Sequence, residues 1–152
     1  MTKALSRMQP ESHLFDSKGR LRFQPLDLKS DENGEKGVVV LKCKHKLNNE
    51  EIKYLEVFAP SDLPEIMNSE QVGKLSAFEQ SCLFATRMFA NVDAQGRVKF
   101  GDGLKDYLGA TKGVVTVPII RKCESGDVKG VAIWSEKDYL KHIDPTFAVK
   151  TR

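Results

Sequence analysis

The residues of this chain best suited to chemistry lie in two turns that share one sequence pattern. Residues 16–23 read DSKGRLRF and residues 93–100 read DAQGRVKF, so that Asp, Gly, Arg and Phe recur at the same places in both segments. In such a turn, the Asp carboxylate can accept hydrogen bonds from backbone N–H groups two residues on, and it can also pair with the Arg. Gly supplies the positive φ that reverses the chain. A guanidinium held on a stiff turn suits phosphate oxygens and the acceptor edge of guanine.

The repeat continues beyond the turns at nearly the same offset, where three further matches occur: Gly37-Val38-Val39 with Gly113-Val114-Val115, Phe58 with Trp134, and Asp62 with Asp138. Two copies that stay in register to within one residue indicate one supersecondary unit used twice, related by an approximate two-fold axis.

The composition is that of an ordinary soluble globular protein, with 40% hydrophobic and 30% charged residues among 152. The net charge of +3 favours an acidic partner only weakly, although a ring of subunits would multiply the field. No apolar run is long enough to span a bilayer, and the first residues lack the apolar core of a secretory signal. We therefore expect a cytoplasmic protein that does not contact membranes.

The cysteines and histidines do not form a recognisable site. Cys43, Cys82 and Cys123 are widely spaced, which favours three reduced thiols. Cys43 and His45 could ligate a metal together, but two ligands without a second pair are more typical of ordinary strand residues. No nucleotide-binding Gly-rich loop, HExxH, GxSxG or paired-carboxylate motif is present. The sequence thus predicts no enzyme, no cofactor, no metal and no small-molecule substrate.

Alternation of apolar and polar residues predicts mainly β structure. Leu21 and Phe23 alternate with Arg20 and Arg22, which indicates a strand with one apolar and one basic face. Similar patterns predict strands over 13–16, 20–23, 37–44, 54–58, 90–93, 97–100, 114–120 and 128–134. Asp62 with Glu65, Asp102 with Gly109, and Ser135 are expected to bound short helices.

A longer helix is expected between the two copies. Ser76 and Glu79 form a capping-box pattern. Residues at helical spacing then form an apolar stripe that we expect to lie in the core: Phe78, Cys82, Ala85 and Phe89. The resulting division is an N-terminal arm (1–11), a first repeat (12–70), a central helix (71–89), a second repeat (90–143) and a C-terminal tail (144–152).

Two other groups of residues have ordinary interpretations. Phe58 and Trp134 end matching strands and are expected to anchor the core or an interface rather than stack on bases. Lys42, Lys44 and Lys46 alternate along one strand and are expected to protect a solvated sheet edge, with extension of a basic face as the alternative.

Taken together, these motifs resemble the MraZ family over roughly residues 15–142. The resemblance rests on the doubled D-x-x-G-R turns, on the segments Leu55-Glu56-Val57-Phe58 and Ala132-Ile133-Trp134-Ser135, and on Phe84-Ala85…Phe89…Asp93-x-x-Gly96-Arg97. It implies a mainly β fold with short helices: an internally duplicated, swapped AbrB/MraZ-like β-barrel with a central helix. Family members are bacterial transcriptional regulators of division and cell-wall genes. They form homo-oligomeric rings and bind tandem promoter repeats in double-stranded DNA.

Carried over residue by residue, the resemblance implicates two sets of DNA-binding residues: Asp16, Lys18, Arg20 and Arg22, then Asp93, Gln95, Arg97 and Lys99. It also implies a cytoplasmic, nucleoid-associated location. Where the family continues its loop strand into Ile-Pro, this chain has Phe23-Gln24 and Phe100-Gly101, which leaves ring size and target sequence open. Two alternatives remain: a ring-forming structural or interaction module without DNA binding, and half of an antitoxin-like module that binds a partner protein through its tail.

Overall fold

The computed structural model describes residues 9–22, 36–110 and 112–149, without the side chain of Asp102. Most of the expected N-terminal arm, Phe23, the polar segment at 25–34 and the end of the tail lie outside these residues. The described chain is mainly β, with an antiparallel sheet of eight strands that nearly closes into a barrel and five short α-helices.

The eight strands include every strand that the sequence predicts within the described residues. They are β1 (Glu11–Leu14), β2 (Arg20–Arg22), β3 (Lys36–Leu47), β4 (Glu50–Phe58), β5 (Met88–Val92), β6 (Arg97–Lys99), β7 (Gly113–Cys123) and β8 (Gly126–Ser135). The β3–β4 hairpin is longer than predicted, because Asn48 and Asn49 form a tight turn with φ values of 53° and 67° that lets β3 and β4 pair through Leu47 and Glu50.

Strand order around the sheet is β1-β7-β8-β4-β3-β5-β6-β2. If the sheet is treated as closed, with β2 next to β1, each strand of the first half (β1–β4) can be exchanged with its counterpart in the second half (β5–β8). Every strand then keeps the same neighbours. The register follows the same relation, since Leu21 pairs with Val98 and Glu56 with Ala132, each with its own counterpart in the other copy of the repeat. The first strand of each half pairs with the long hairpin of the other half, β1 with β7 and β5 with β3.

Two apolar clusters lie on the two sides of the sheet. In β3, Val38 and Val40 face the barrel interior together with Leu21, Val98 and the helix residues Leu104 and Leu108. Val39 and Leu41 of the same strand face outward and lie beneath short helices. A strand that is buried on both faces reads as a continuous apolar run, as residues 38–41 do.

The helices are α1 (Leu63–Met67), α2 (Glu70–Gly73), α3 (Ala77–Ala85), α4 (Asp102–Leu108) and α5 (Glu136–His142). Three predicted helix ends are confirmed. Ser76 and Glu79 form both hydrogen bonds of a capping box, the Ser135 hydroxyl accepts from the Asp138 N–H at 3.1 Å, and Gly109 ends α4 at φ 66°.

Two predicted caps differ in the structure. Asp62 does occupy the N-cap position of a helix that ends at Met67, as predicted, but its side chain makes no capping hydrogen bond, because a 3₁₀ turn over Pro60–Asp62 leads into α1 and already gives Asp62 a helical backbone. Asp102 is the first residue of α4 rather than its cap. Gly101 takes the extended backbone of the N-cap position.

The central helix predicted over 71–89 is also corrected. It is divided into α2 and α3 and ends at Ala85, and Phe89 lies in β5, whose backbone groups pair with β3. The stripe is not core, since Phe78 is 78% exposed and Phe89 61% exposed. The buried residue of α3 is Leu83, which packs beside Leu41. Helical spacing identified a set of apolar residues without identifying the side that faces the sheet.

Candidate nucleic-acid interface

The first turn is organised by the carboxylate of Asp16. Its Oδ1 accepts hydrogen bonds from the backbone N–H groups of Lys18 and Arg20, both at 2.9 Å. Its Oδ2 accepts from Arg20 Nε at 2.7 Å. Gly19 has a φ of 75°, which reverses the chain between them. One side chain therefore holds both the turn backbone and the guanidinium that leaves it.

The second turn has the same geometry as the first. Asp93 Oδ1 accepts from the N–H groups of Gln95 and Arg97, both at 2.9 Å, and Asp93 Oδ2 accepts from Arg97 Nε at 2.8 Å. Gly96 has a φ of 77°. The turn geometry predicted from the D-x-x-G-R pattern is thus confirmed in both copies.

These hydrogen bonds change the acidity of both carboxylates. The backbone hydrogen bond from Arg20, with help from its guanidinium, lowers the pKa of Asp16 from 3.8 to about 2. The backbone hydrogen bond from Arg97 lowers the pKa of Asp93 in the same way. Both groups are ionised at neutral pH, so each offsets much of the charge of its own arginine.

Both arginines are only partly exposed. Only 22% of the Arg20 side chain and 27% of the Arg97 side chain are exposed, because each Nε is held against an aspartate. Within the described part of the chain, the terminal Nη atoms of these arginines make no hydrogen bond. They are available to an external acceptor from a fixed base.

Strand pairing brings the two turns together on one chain. β2 pairs with β6 so that Arg20 lies opposite Lys99, Leu21 opposite Val98, and Arg22 opposite Arg97. Leu21 and Val98 are each 1% exposed and face the barrel interior. The four basic residues at the alternate positions must then point outward, because successive strand residues face opposite sides.

All eight residues that the sequence implicated therefore lie together. We call this set the basic face: Asp16, Lys18, Arg20, Arg22, Asp93, Gln95, Arg97 and Lys99. Besides the pairing of β2 with β6, Arg22 Nη2 donates to Gln95 Oε1 at 3.5 Å, and the Phe100 N–H donates to the Gly19 carbonyl at 3.3 Å.

Sequence reasoning missed Lys105, which reaches this region from α4. Its Nζ lies 4.6 Å from the centroid of the Phe15 ring, and a Cβ added to Gly19 would lie 3.9 Å from it. No motif or spacing connects Lys105 with the first turn. Only the packing of α4 on the interior cluster of the barrel, through Leu104 and Leu108, does so.

The other predicted features take mainly structural positions. Phe58 is fully buried, as expected, and Trp134 stacks on Tyr54 with ring centroids 4.4 Å apart. The pairing of β3 with β5 ends at Val40. Beyond it, where Lys44 and Lys46 lie, β4 is the one strand that pairs with β3 among the described residues. Both lysines are exposed, as expected for a solvated edge, whereas Lys42 is half-buried, with its Nζ 5.6 Å from the centroid of the Tyr107 ring.

The described residues contain no group of three or more metal-ligating side chains. Burial raises the pKa of the Cys43 thiol to about 12, which disfavours the thiolate that a metal would require. No helix in the described ranges is long and apolar enough to cross a membrane.

Comparisons with known proteins add no family to this geometry. No protein-family model matches the chain, and no curated protein matches it significantly.

Proposed function

We propose that this protein is a sequence-specific DNA-binding transcriptional regulator of the MraZ type, and not an enzyme, that binds double-stranded promoter DNA with the basic face. One observation carries the proposal. The pairing of β2 with β6 places two aspartate-anchored arginines and two further basic residues on the outer side of a single two-stranded ribbon.

The shape of this ribbon suits a DNA groove. The major groove of B-DNA is about 12 Å wide and admits a two-stranded β-ribbon. Neighbouring strands lie roughly 4.8 Å apart, and alternate residues on one strand lie roughly 7 Å apart. Basic side chains at these spacings can contact phosphates on the groove walls and base edges on its floor.

The aspartates support a specific role for the arginines. A carboxylate beside a phosphate-binding site repels phosphate, so its presence in both turns needs a compensating benefit. Fixing the guanidinium before binding lowers the conformational entropy that is lost when it contacts a base. A pre-oriented arginine can then form the bidentate contact with guanine that carries most sequence information.

The fold supports the same family of functions. The strand order is the same when the two halves are exchanged, and the first strand of each half pairs with the hairpin of the other half. We interpret this arrangement as two swapped AbrB-like units. This interpretation agrees with the swapped AbrB/MraZ-like barrel that the resemblance of the motifs implies. A cytoplasmic, nucleoid-associated location follows from the proposed partner.

We also propose a homo-oligomer, in a ring as in the family that the chain resembles. An exposed apolar patch lies beside Arg87, whose guanidinium carbon is 3.8 Å from the centroid of the Phe84 ring and 5.8 Å from that of the Phe89 ring. Phe78 on α3 and Met88 at the start of β5 are also exposed. A patch of this kind is typical of a surface that a second copy covers. Light scattering at micromolar concentration is expected to show a multiple of 17.1 kDa, and a clean monomer would contradict this part of the proposal.

The same patch favours a second candidate, a ring-forming interaction module that does not bind DNA. The two candidates differ in their response to salt. Phosphate contacts release counterions, so DNA affinity is expected to fall with salt with a log–log slope steeper than about −2. An affinity that does not change with salt would favour the interaction module.

The decisive experiment uses the DNA immediately upstream of the protein's own gene and measures binding by fluorescence anisotropy. Arg20→Ala and Arg97→Ala are each expected to weaken binding by about 1–3 kcal/mol if each arginine contacts a guanine. Lys137→Gln removes an exposed charge from α5, outside the basic face, and serves as the control. Circular dichroism and light scattering check that fold and assembly are retained. Equal affinities for the arginine variants and the control would refute DNA binding by these turns.

A further inference from the structure

The two halves of the basic face carry different charges, although their backbones match. Gln95 occupies the position of Lys18 in the second copy of the turn. The side-chain contact across the ribbon differs accordingly. Arg22 donates a hydrogen bond to the Gln95 amide oxygen, whereas the corresponding positions in the other half are Lys99 and Lys18, both exposed cations.

Lys105 adds a further cation to the first turn. It lies beside Gly19 and Phe15, at the first turn. Among the described residues, four cations therefore surround the first turn: Lys18, Arg20, Lys99 and Lys105. At the second turn the described cations are Arg97 and the residue opposite it, Arg22. Residues 28 and 29, which correspond to Lys105 in the repeat, lie outside the described residues, so the comparison of the two turns rests on Lys18 and Gln95. The carboxylates do not remove the difference, since each turn contains one.

The two charge arrangements suit different parts of a duplex. Neighbouring lysine ammonium groups attract phosphate oxygens as point charges and carry little sequence information. A glutamine amide and the arginine that donates a hydrogen bond to it hold each other in place and present hydrogen-bonding groups in fixed directions. Gln and Arg are the side chains that form bidentate contacts with adenine and guanine, respectively.

We infer, on the basis of the proposed function, that the basic face binds duplex DNA in one orientation. The first-turn half, with Lys18, Lys99 and Lys105, holds backbone phosphates. The second-turn half, with Arg22, Gln95 and Arg97, contacts base edges and supplies most of the discrimination between sequences.

Two exchanged variants of the full chain test this inference, because each gives one half the residue of the other: Lys18→Gln and Gln95→Lys. Binding is measured by anisotropy over a salt range of about 50–200 mM. The probes are a duplex that the wild-type protein selects from a random pool and a shuffled duplex of the same composition. Lys137→Gln is again the control for loss of one charge.

Lys18→Gln is expected to lower the magnitude of the salt slope by about 0.9 per bound chain and to weaken both duplexes by a similar factor. Gln95→Lys is expected to reduce the ratio of affinities for the selected and shuffled duplexes by about 5- to 150-fold, the range for one lost bidentate contact. Its slope is expected to stay the same or become steeper.

The inference is overturned if the wild-type protein binds DNA in a salt-dependent way but Lys18→Gln reduces the ratio of affinities for the selected and shuffled duplexes as much as Gln95→Lys does, or more. Failure of the proposed function has a different signature. In that case the wild-type protein binds neither duplex in a salt-dependent way, and Arg20→Ala and Arg97→Ala have no effect.

Discussion

Replacing Leu21 with alanine is expected to destabilise the barrel at the point where the basic face is supported. Leu21 is 1% exposed and lies opposite Val98, which is equally buried. Burial of this pair is what turns the four alternating basic residues outward. β2 has only three residues, so few other contacts hold it in register.

The expected loss follows from the burial. Truncating a fully buried leucine to alanine costs about 2–5 kcal/mol, because transfer free energy is lost and a cavity remains. The upper part of this range is less accessible here if the short strand can shift to fill the space. We therefore expect a loss of about 2–4 kcal/mol, a large fraction of the roughly 5–15 kcal/mol that stabilises a typical domain.

Urea unfolding followed by circular dichroism measures this loss, at two protein concentrations so that assembly is separated from folding. Ile120→Ala is the matched control, since Ile120 is 42% exposed and its truncation is expected to cost less than about 0.5 kcal/mol. Equal losses for the two variants would refute the claim that Leu21 supports the ribbon.

Three further predictions concern the turns and the outer core. Asp16→Ala and Asp93→Ala are each expected to weaken DNA binding, although each removes a negative charge, because the arginine loses its anchor; tighter binding would show that the aspartates act only by charge. The pKa of Asp16 is lowered from 3.8 to about 2, so the contribution of this ionised carboxylate to stability is complete above about pH 4 and is lost as the pH falls towards 2. A double variant, Asp16→Asn with Asp93→Asn, is therefore expected to show a flatter dependence of unfolding on acid pH than the wild-type protein. Gly130→Ala is expected to cost about 1–3 kcal/mol in urea unfolding, since the added Cβ would collide with the ring of the fully buried Phe58, and an unchanged midpoint would contradict that packing.

The features that the sequence predicted correctly are local ones. The hydrogen bonds of Asp16 and Asp93 span at most four residues, and the alternation of Leu21 with Arg20 and Arg22 follows from strand geometry alone. The capping box at Ser76 and the left-handed Gly109 are similarly short-range. Residue types that bond within a few positions leave a signal that does not depend on the rest of the fold.

The features that the sequence did not predict depend on packing between distant segments. The spacing of Phe78, Cys82, Ala85 and Phe89 is helical, but only the placement of α3 against β3 shows that Leu83 is buried instead. The sequence pattern assigns Met88 and Phe89 to the helix rather than to the strand predicted from residue 90, because their strand character depends on pairing with β3. Lys105 joins the first turn only through the packing of α4.

The charge of the basic face limits what one chain can do alone. Its five cations and two carboxylates have a formal charge of +3, which equals the net charge of the whole chain, so the rest of the molecule is neutral in sum. If these five cations and Lys105 each neutralised a phosphate, the salt slope of one bound chain would reach roughly −5.4. The anchored aspartates favour a smaller value. A measured slope steeper than roughly −5.4 would therefore exceed what these cations of one chain supply and would indicate several chains on one DNA molecule, which connects the proposed ring directly to the strength of binding.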